Sequence, residues 1–85
     1  MGSYAVEIRR SAIKELDAIA TADLGRVMSR IKALGSNPRS PGSEKLTGAE
    51  QYRVRQRVYR ILYEVDDARH TVTIVKIGHR REVYR

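Results

Sequence analysis

Eighty-five residues make one domain spanning 1–85, with a core too small to leave room for a separate cofactor-binding unit. Seventeen Lys and Arg against ten Asp and Glu give a net charge of +7, while the lack of cysteine excludes disulfides and thiolate metal ligation. His70 and His79 are too few to hold a metal, so no metal or other cofactor is expected; no apolar run suggests a signal peptide or a membrane span, and the chain reads as cytoplasmic.

Tyr4 to Ile8 alternates apolar with small or polar residues and predicts a short strand ending at Arg9-Arg10. Ser11 offers an N-cap, after which Ile13, Leu16, Ile19 and Ala20 recur at helical spacing. Thr21 or Asp23 can cap a second helix, whose stripe is Leu24, Val27, Ile31 and Leu34. Gly35 is expected to stop it, with Asn37-Pro38 beyond. Ser36 to Gly42 is a connector rich in turn formers. Strands are predicted at Glu44 to Leu46, Gln51 to Gln56, Val58 to Val65 and Thr71 to Ile77, divided by Thr47-Gly48 and by Asp66 to His70. Turns this short favour antiparallel hairpins, so the expected fold is α+β: an N-terminal strand, a two-helix hairpin and an antiparallel meander with both helices on one face.

Charge is unevenly distributed along these elements. Met1 to Glu44 carries seven basic and five acidic residues, but Lys45 to Arg85 carries ten and five, and Tyr52 to Tyr63 contains no acid. Period-two alternation sends Arg53, Arg55 and Arg57 to one face of their strand, with Tyr52 and Val54 on the other. In the next strand Tyr59, Ile61, Tyr63 and Val65 should meet the helices, leaving Arg60 on the open face. Such a cationic surface suits a polyanion, because each guanidinium fork pairs bidentately with phosphate. Taken alone, alternating arginines are more often a solvated face than a site. If the anion is RNA, its own 2′-hydroxyl can attack the adjacent phosphate. The protein then needs to supply only a proton acceptor, cations around the phosphate and relief of charge on the leaving 5′-oxygen.

Three stretches carry a resemblance: Tyr52-Arg53-Val54-Arg55, Val58-Tyr59-Arg60-Ile61-Leu62-Tyr63-Glu64-Val65, and Val75-Lys76-Ile77-Gly78-His79-Arg80-Arg81-Glu82-Val83-Tyr84. With the connector Pro41-Gly42-Ser43-Glu44-Lys45-Leu46 and the order of elements, the chain resembles the RelE branch of the RelE/ParE toxin superfamily. That resemblance implies a ribosome-dependent endoribonuclease that cleaves messenger RNA in the ribosomal A site, inhibits translation and is silenced by an acidic cognate antitoxin. Carried over by position, it implies that Arg60 and Arg80 grip the scissile phosphate and that Tyr84 stacks on or orients the nucleotide. Arg53 and Arg55 stand where the family places lysines. An arginine stays protonated, so these two are expected to stabilise charge rather than accept a proton.

His79 or Tyr84 is left for the base, and imidazole chemistry favours His79. Lys45, Arg57, Arg81 and Arg85 are further cations expected along the RNA. Two other functions stand as alternatives: a ParE-like inhibitor of DNA gyrase on this scaffold, a class that generally lacks the set of basic residues and tyrosine this chain mostly keeps, and a non-catalytic module that binds RNA or the ribosome through charge alone.

Overall fold

The computed structural model describes residues 3–46 and 51–79. It is α+β, with β1 (Ala5–Ile8), α1 (Arg10–Asp17), α2 (Thr21–Ser36), β2 (Ser43–Lys45), β3 (Gln51–Gln56), β4 (Tyr59–Asp66) and β5 (Thr71–His79) in chain order. The strands form one sheet in the order β1-β5-β4-β3-β2. Strands β2 to β5 make the expected antiparallel meander. The first strand joins differently. It lies parallel to β5, with Ala5 N–H donating to His70 O at 2.9 Å and Arg9 N–H to Ile74 O at 3.0 Å. Two helices and three strands intervene between β1 and β5, so the short-turn argument for hairpins never applied to this pair.

Alternation along β3 and β4 holds. Tyr52, Val54, Ile61, Tyr63 and Val65 are buried on the helix-covered face together with Val72, Ile74 and Ile77 of β5. From α2 come Val27, Ile31 and Leu34, the stripe read from the sequence. In α1 the phase differs from expectation: Ala12 is fully buried and Ile13 is 48% exposed. The helix begins at Arg10, so Ser11 lies inside it rather than capping it, and its inward residues are Ala12 and Leu16, continued by Ile19 just past its end. Beyond the end of β1, the edge of β5 is covered by α1. There Glu15 accepts from the Ile77 N–H at 2.8 Å and from Lys76 Nζ at 3.2 Å.

Gly35 does not stop α2, which runs one residue further to Ser36. It is buried against β1, where a Cβ would meet Tyr4 O and Val6 Cγ2 at 3.0 Å each. Its missing side chain allows the last helical turn to sit on the first strand, and Tyr4 N–H donates to its carbonyl at 2.7 Å.

The connector is pinned by side chains. Tyr63 OH donates to Pro38 O at 2.6 Å inside the core. Arg39 donates to both carboxylate oxygens of Asp67 at 3.0 and 2.9 Å and through Nε to Tyr52 OH at 2.8 Å, and it lies over the Tyr52 ring. Tyr4 OH also donates to Asp67, and its ring stacks on His70. These donors, Arg39 first and Tyr4 next, pull the Asp67 carboxyl from 3.8 to about 2.

Two predictions test these contacts. Gly25, also on α2, has open space where a Cβ would stand. Gly25→Ala should therefore raise stability by about 0.5–1 kcal/mol through helix propensity, whereas Gly35→Ala should lower it by about 1–3 kcal/mol through overpacking. Denaturant midpoints of the two variants, opposite in sign, are the measurement. Because Asp67 is depressed in the folded chain, its contribution is present above the unfolded carboxylate value of about 3.9 and is lost as pH falls toward about 2. Asp67→Asn should flatten the decline of stability across that window in a pH series of unfolding curves.

Candidate functional site

Among the described residues no helix covers the second face of the sheet, and strand register decides which charges meet there. Arg55 on β3 lies directly opposite Arg60 on β4, Arg53 opposite Leu62, and Glu44 on β2 opposite Arg53. On its other side Arg60 faces Gly78 of β5. Although it stands on the open face, Arg60 is only 6% exposed. Like charges opposed across a ladder are unfavourable, so the Arg55 and Arg60 pair gives the sheet no stability and suits an anion placed between them.

Glu44 is the residue that sequence reasoning missed at this site. Its Oε1 accepts from Arg53 Nη2 at 2.7 Å and from Nε at 3.2 Å. That hydrogen bonding, followed by the charge of Arg53 and the fields of Arg55 and Arg60, holds the Glu44 carboxyl below the usual carboxylate range. The Glu44 carboxylate is in contact with Arg53 and lies within the longer-range field of Arg55 and Arg60. The available signal was positional: Glu44 lies in the short strand after the connector, which pairs with Arg53, but the register of that pair is not visible in the sequence.

The other candidate residues separate. Arg57 was expected on the strand face with Arg53 and Arg55, but β3 ends at Gln56. Arg57 instead sits in the two-residue turn to β4 with a left-handed φ of 58°. Lys45 lies opposite Tyr52 and so shares the parity of the covered face, not that of Arg53.

His79 lies opposite Tyr59, its ring edge-on to that tyrosine at 6.4 Å between centroids. It lines a cavity of about 320 Å³ with Glu15, Ala18, Ile19, Tyr59 and Ile77. The cause is a bulge. Leu62 faces Lys76 and Tyr63 faces Ile74, so Val75 is an extra residue on β5. Val72 and Ile74 point to the core by even number, but beyond Val75 the inward positions become Ile77 and His79. The sheet thus separates His79 from Arg60, and the imidazole is not placed to act as base there. Arg80, Arg81, Tyr84 and Arg85 lie outside the described residues, as does the expected Thr47-Gly48 turn.

Charge on the open face is segregated lengthwise. The end away from the arginines holds a cavity of about 500 Å³ lined by Glu7, Glu64, Asp66, Asp67, Arg69 and Thr73, among others. An approaching polyanion is repelled from that end and drawn to the Arg55 and Arg60 end. Among the described residues no three His, Cys, Asp or Glu side chains group as metal ligands would. No described helix is long and apolar enough to cross a membrane.

Comparison with known proteins places this geometry in context. Residues 6–84 match the family described as the ParE toxin of the type II toxin-antitoxin system parDE. Toxin RelG of Mycobacterium tuberculosis is 40% identical over 37 residues, a match that takes in 44% of this chain and only 42% of that relative's length. Among solved structures, the RelBE2 toxin-antitoxin complex of M. tuberculosis superposes with a TM-score of 0.82 at 26% identity, covering 91% of this chain and 98% of the other. The archaeal RelE-RelB complex from Pyrococcus horikoshii gives a TM-score of 0.80 at 24% identity over 94% and 98% of the two chains. The intact E. coli RelBE complex gives 0.80 at 19% identity over 91% and 96%. At such identities the last two speak for the fold alone.

The opposed arginines yield a prediction of their own. Arg55→Gln should stabilise the free protein by about 0.2–1 kcal/mol at low ionic strength, with the gain vanishing in high salt, as relief of a like-charge pair requires. The same variant should bind polyanions more weakly. Unfolding midpoints at two salt concentrations, together with retention on heparin, read both effects.

Proposed function

The chain belongs to the ParE toxin family within the RelE/ParE superfamily, the toxins of type II toxin-antitoxin systems, and from the arginines on its open face we propose that it is a metal-independent endoribonuclease that cleaves messenger RNA on the ribosome and so inhibits translation. The observation that carries this reading is the opposition of Arg55 and Arg60 on the open face, with Arg53 on the same face held by Glu44.

Arg55 and Arg60, opposed across β3 and β4, bracket the scissile phosphate and neutralise the extra negative charge of its pentavalent transition state. Gly78, opposite Arg60, presents no side chain to obstruct that approach. Arg53 contributes a third cation and the leaving 5′-oxygen is screened by the cluster. The 2′-hydroxyl oxygen bonds to phosphorus as the phosphorus–5′-oxygen bond breaks, leaving a 2′,3′-cyclic phosphate and a 5′-oxygen that takes its proton from water.

Glu44 takes the proton from the 2′-hydroxyl. Held by Arg53, it is ionised but a weak base. A phosphodiester that takes over Arg53 releases it, and its basicity recovers when the nucleophile is in place. Arg80 and Tyr84 keep the roles that the family resemblance gives them: a further phosphate contact and a platform for the nucleotide. The partners follow from the same reading. They are the ribosome with its A-site message, and an acidic antitoxin, the related structures being themselves complexes of a toxin with its antitoxin.

The family model that matches is the ParE one, and this favours a second reading, inhibition of DNA gyrase without RNA cleavage. Induction of the chain separates the two. Discrete transcript cuts mapped by primer extension support the nuclease, whereas a DNA-damage response without cuts supports the inhibitor. Arg60→Met should lower cleavage on programmed ribosomes by about 100-fold or more while the fold persists. The pH profile tests the base. With Glu44, the acid limb of kcat/KM lies below the ordinary carboxylate range and His79→Gln does not move it. A limb near about 6.5 that disappears in His79→Gln would return the role to the imidazole.

A further inference from the structure

The Glu44 and Arg53 contact holds more than a base in waiting. Arg53 gives two donors, Nη2 at 2.7 Å and Nε at 3.2 Å, to one carboxylate oxygen. Its side chain is 16% exposed, whereas that of Glu44 is 55% exposed, so the arginine is set into the sheet and its partner is free to swing. Glu44 also sits on β2, an edge strand of three residues. A phosphodiester oxygen requires the same guanidinium fork that this carboxylate occupies.

We propose that Glu44 holds the phosphate position on Arg53 in the resting protein, so that RNA binds by exchanging one anion for another. This rests on the RNA-cleaving reading and adds to it a determinant of affinity. Exchange has a thermodynamic signature that simple pairing lacks. A cation that neutralises a backbone phosphate releases the counterions condensed there, and for single strands each such contact adds about 0.7 to the slope of log K against log salt. When Arg53 arrives by leaving a carboxylate, the freed carboxylate gathers cations from solution and offsets that release. Wild-type protein therefore binds with one contact fewer in its salt dependence than its phosphate contacts would give. The freed carboxylate also stands beside the phosphate and repels it, weakening attachment to anions that lack other holds on the site.

The test uses the full chain and a single-stranded DNA oligonucleotide, which carries the phosphates but no 2′-hydroxyl to be cleaved. Binding is followed by fluorescence anisotropy from low to moderate salt. Glu44→Gln, nearly isosteric and uncharged, should bind up to about five-fold more tightly at low salt, with a slope steeper by about 0.7. Adding Glu44→Gln to Arg53→Ala should leave the slope unchanged, since without Arg53 no anion is exchanged. If the wild type binds and Glu44→Gln binds equally or more weakly with an unchanged slope, the exchange is refuted while the RNA reading stands. If neither protein binds with salt dependence, the RNA reading falls and the exchange falls with it. A purely structural Glu44 would lower thermal stability and weaken binding without steepening the slope.

Discussion

Strand β4 runs through the middle of the sheet, and its two-residue period is the constraint on which the rest depends. Ile61, Tyr63 and Val65 go into the core, and Arg60 goes to the other side. A slip of one residue would drive a guanidinium under the helices and expose Tyr63, which makes the register costly to change. Both neighbours of β4 inherit their alignment from it, Arg55 on one side and Gly78 on the other. Core packing thus fixes the site: the apolar residues that stabilise the fold also determine which cations stand together.

The connector is held to the sheet by polar contacts rather than by apolar burial alone. Arg39 and Asp67 join the segment after α2 to the turn between β4 and β5, and Tyr4 and Tyr52 bring in the first strand and β3. Four distant parts of the chain meet at one ion pair. The charges of this network are spent on one another, which leaves the arginines of β3 and β4 to define the basic end of the open face.

At that end the site has a tension of its own. Opposed arginines repel one another, and Glu44, paired with Arg53, adds negative charge to the same face. The internal carboxylate lowers the field that the free protein must endure while keeping the guanidinium groups in place for a phosphate. Preorganised cations act without reorganising when charge develops, which is where such a site gains rate.

Local periodicity alone determined the helical stripe of α2, the inward row of β3 and β4, and the placement of Arg53, Arg55 and Arg60 on one open face. These are readable because burial on one side of a repeating element leaves its period in the residues that form it. What the sequence could not carry was anything set by contact between distant segments or by a change of phase. The parallel seat of β1 beside β5 came from a pairing across most of the chain. The true role of Gly35 came from its approach to Tyr4 and Val6, and the choice of Ala12 over Ile13 from where α1 starts. One extra residue, Val75, reversed the alternation of β5 and carried His79 to the covered face, while the pairing of a three-residue edge strand brought Glu44 to the arginines. Periodicity is a property of neighbours in the chain; register and bulges are properties of neighbours in space, and only the folded sheet decides them.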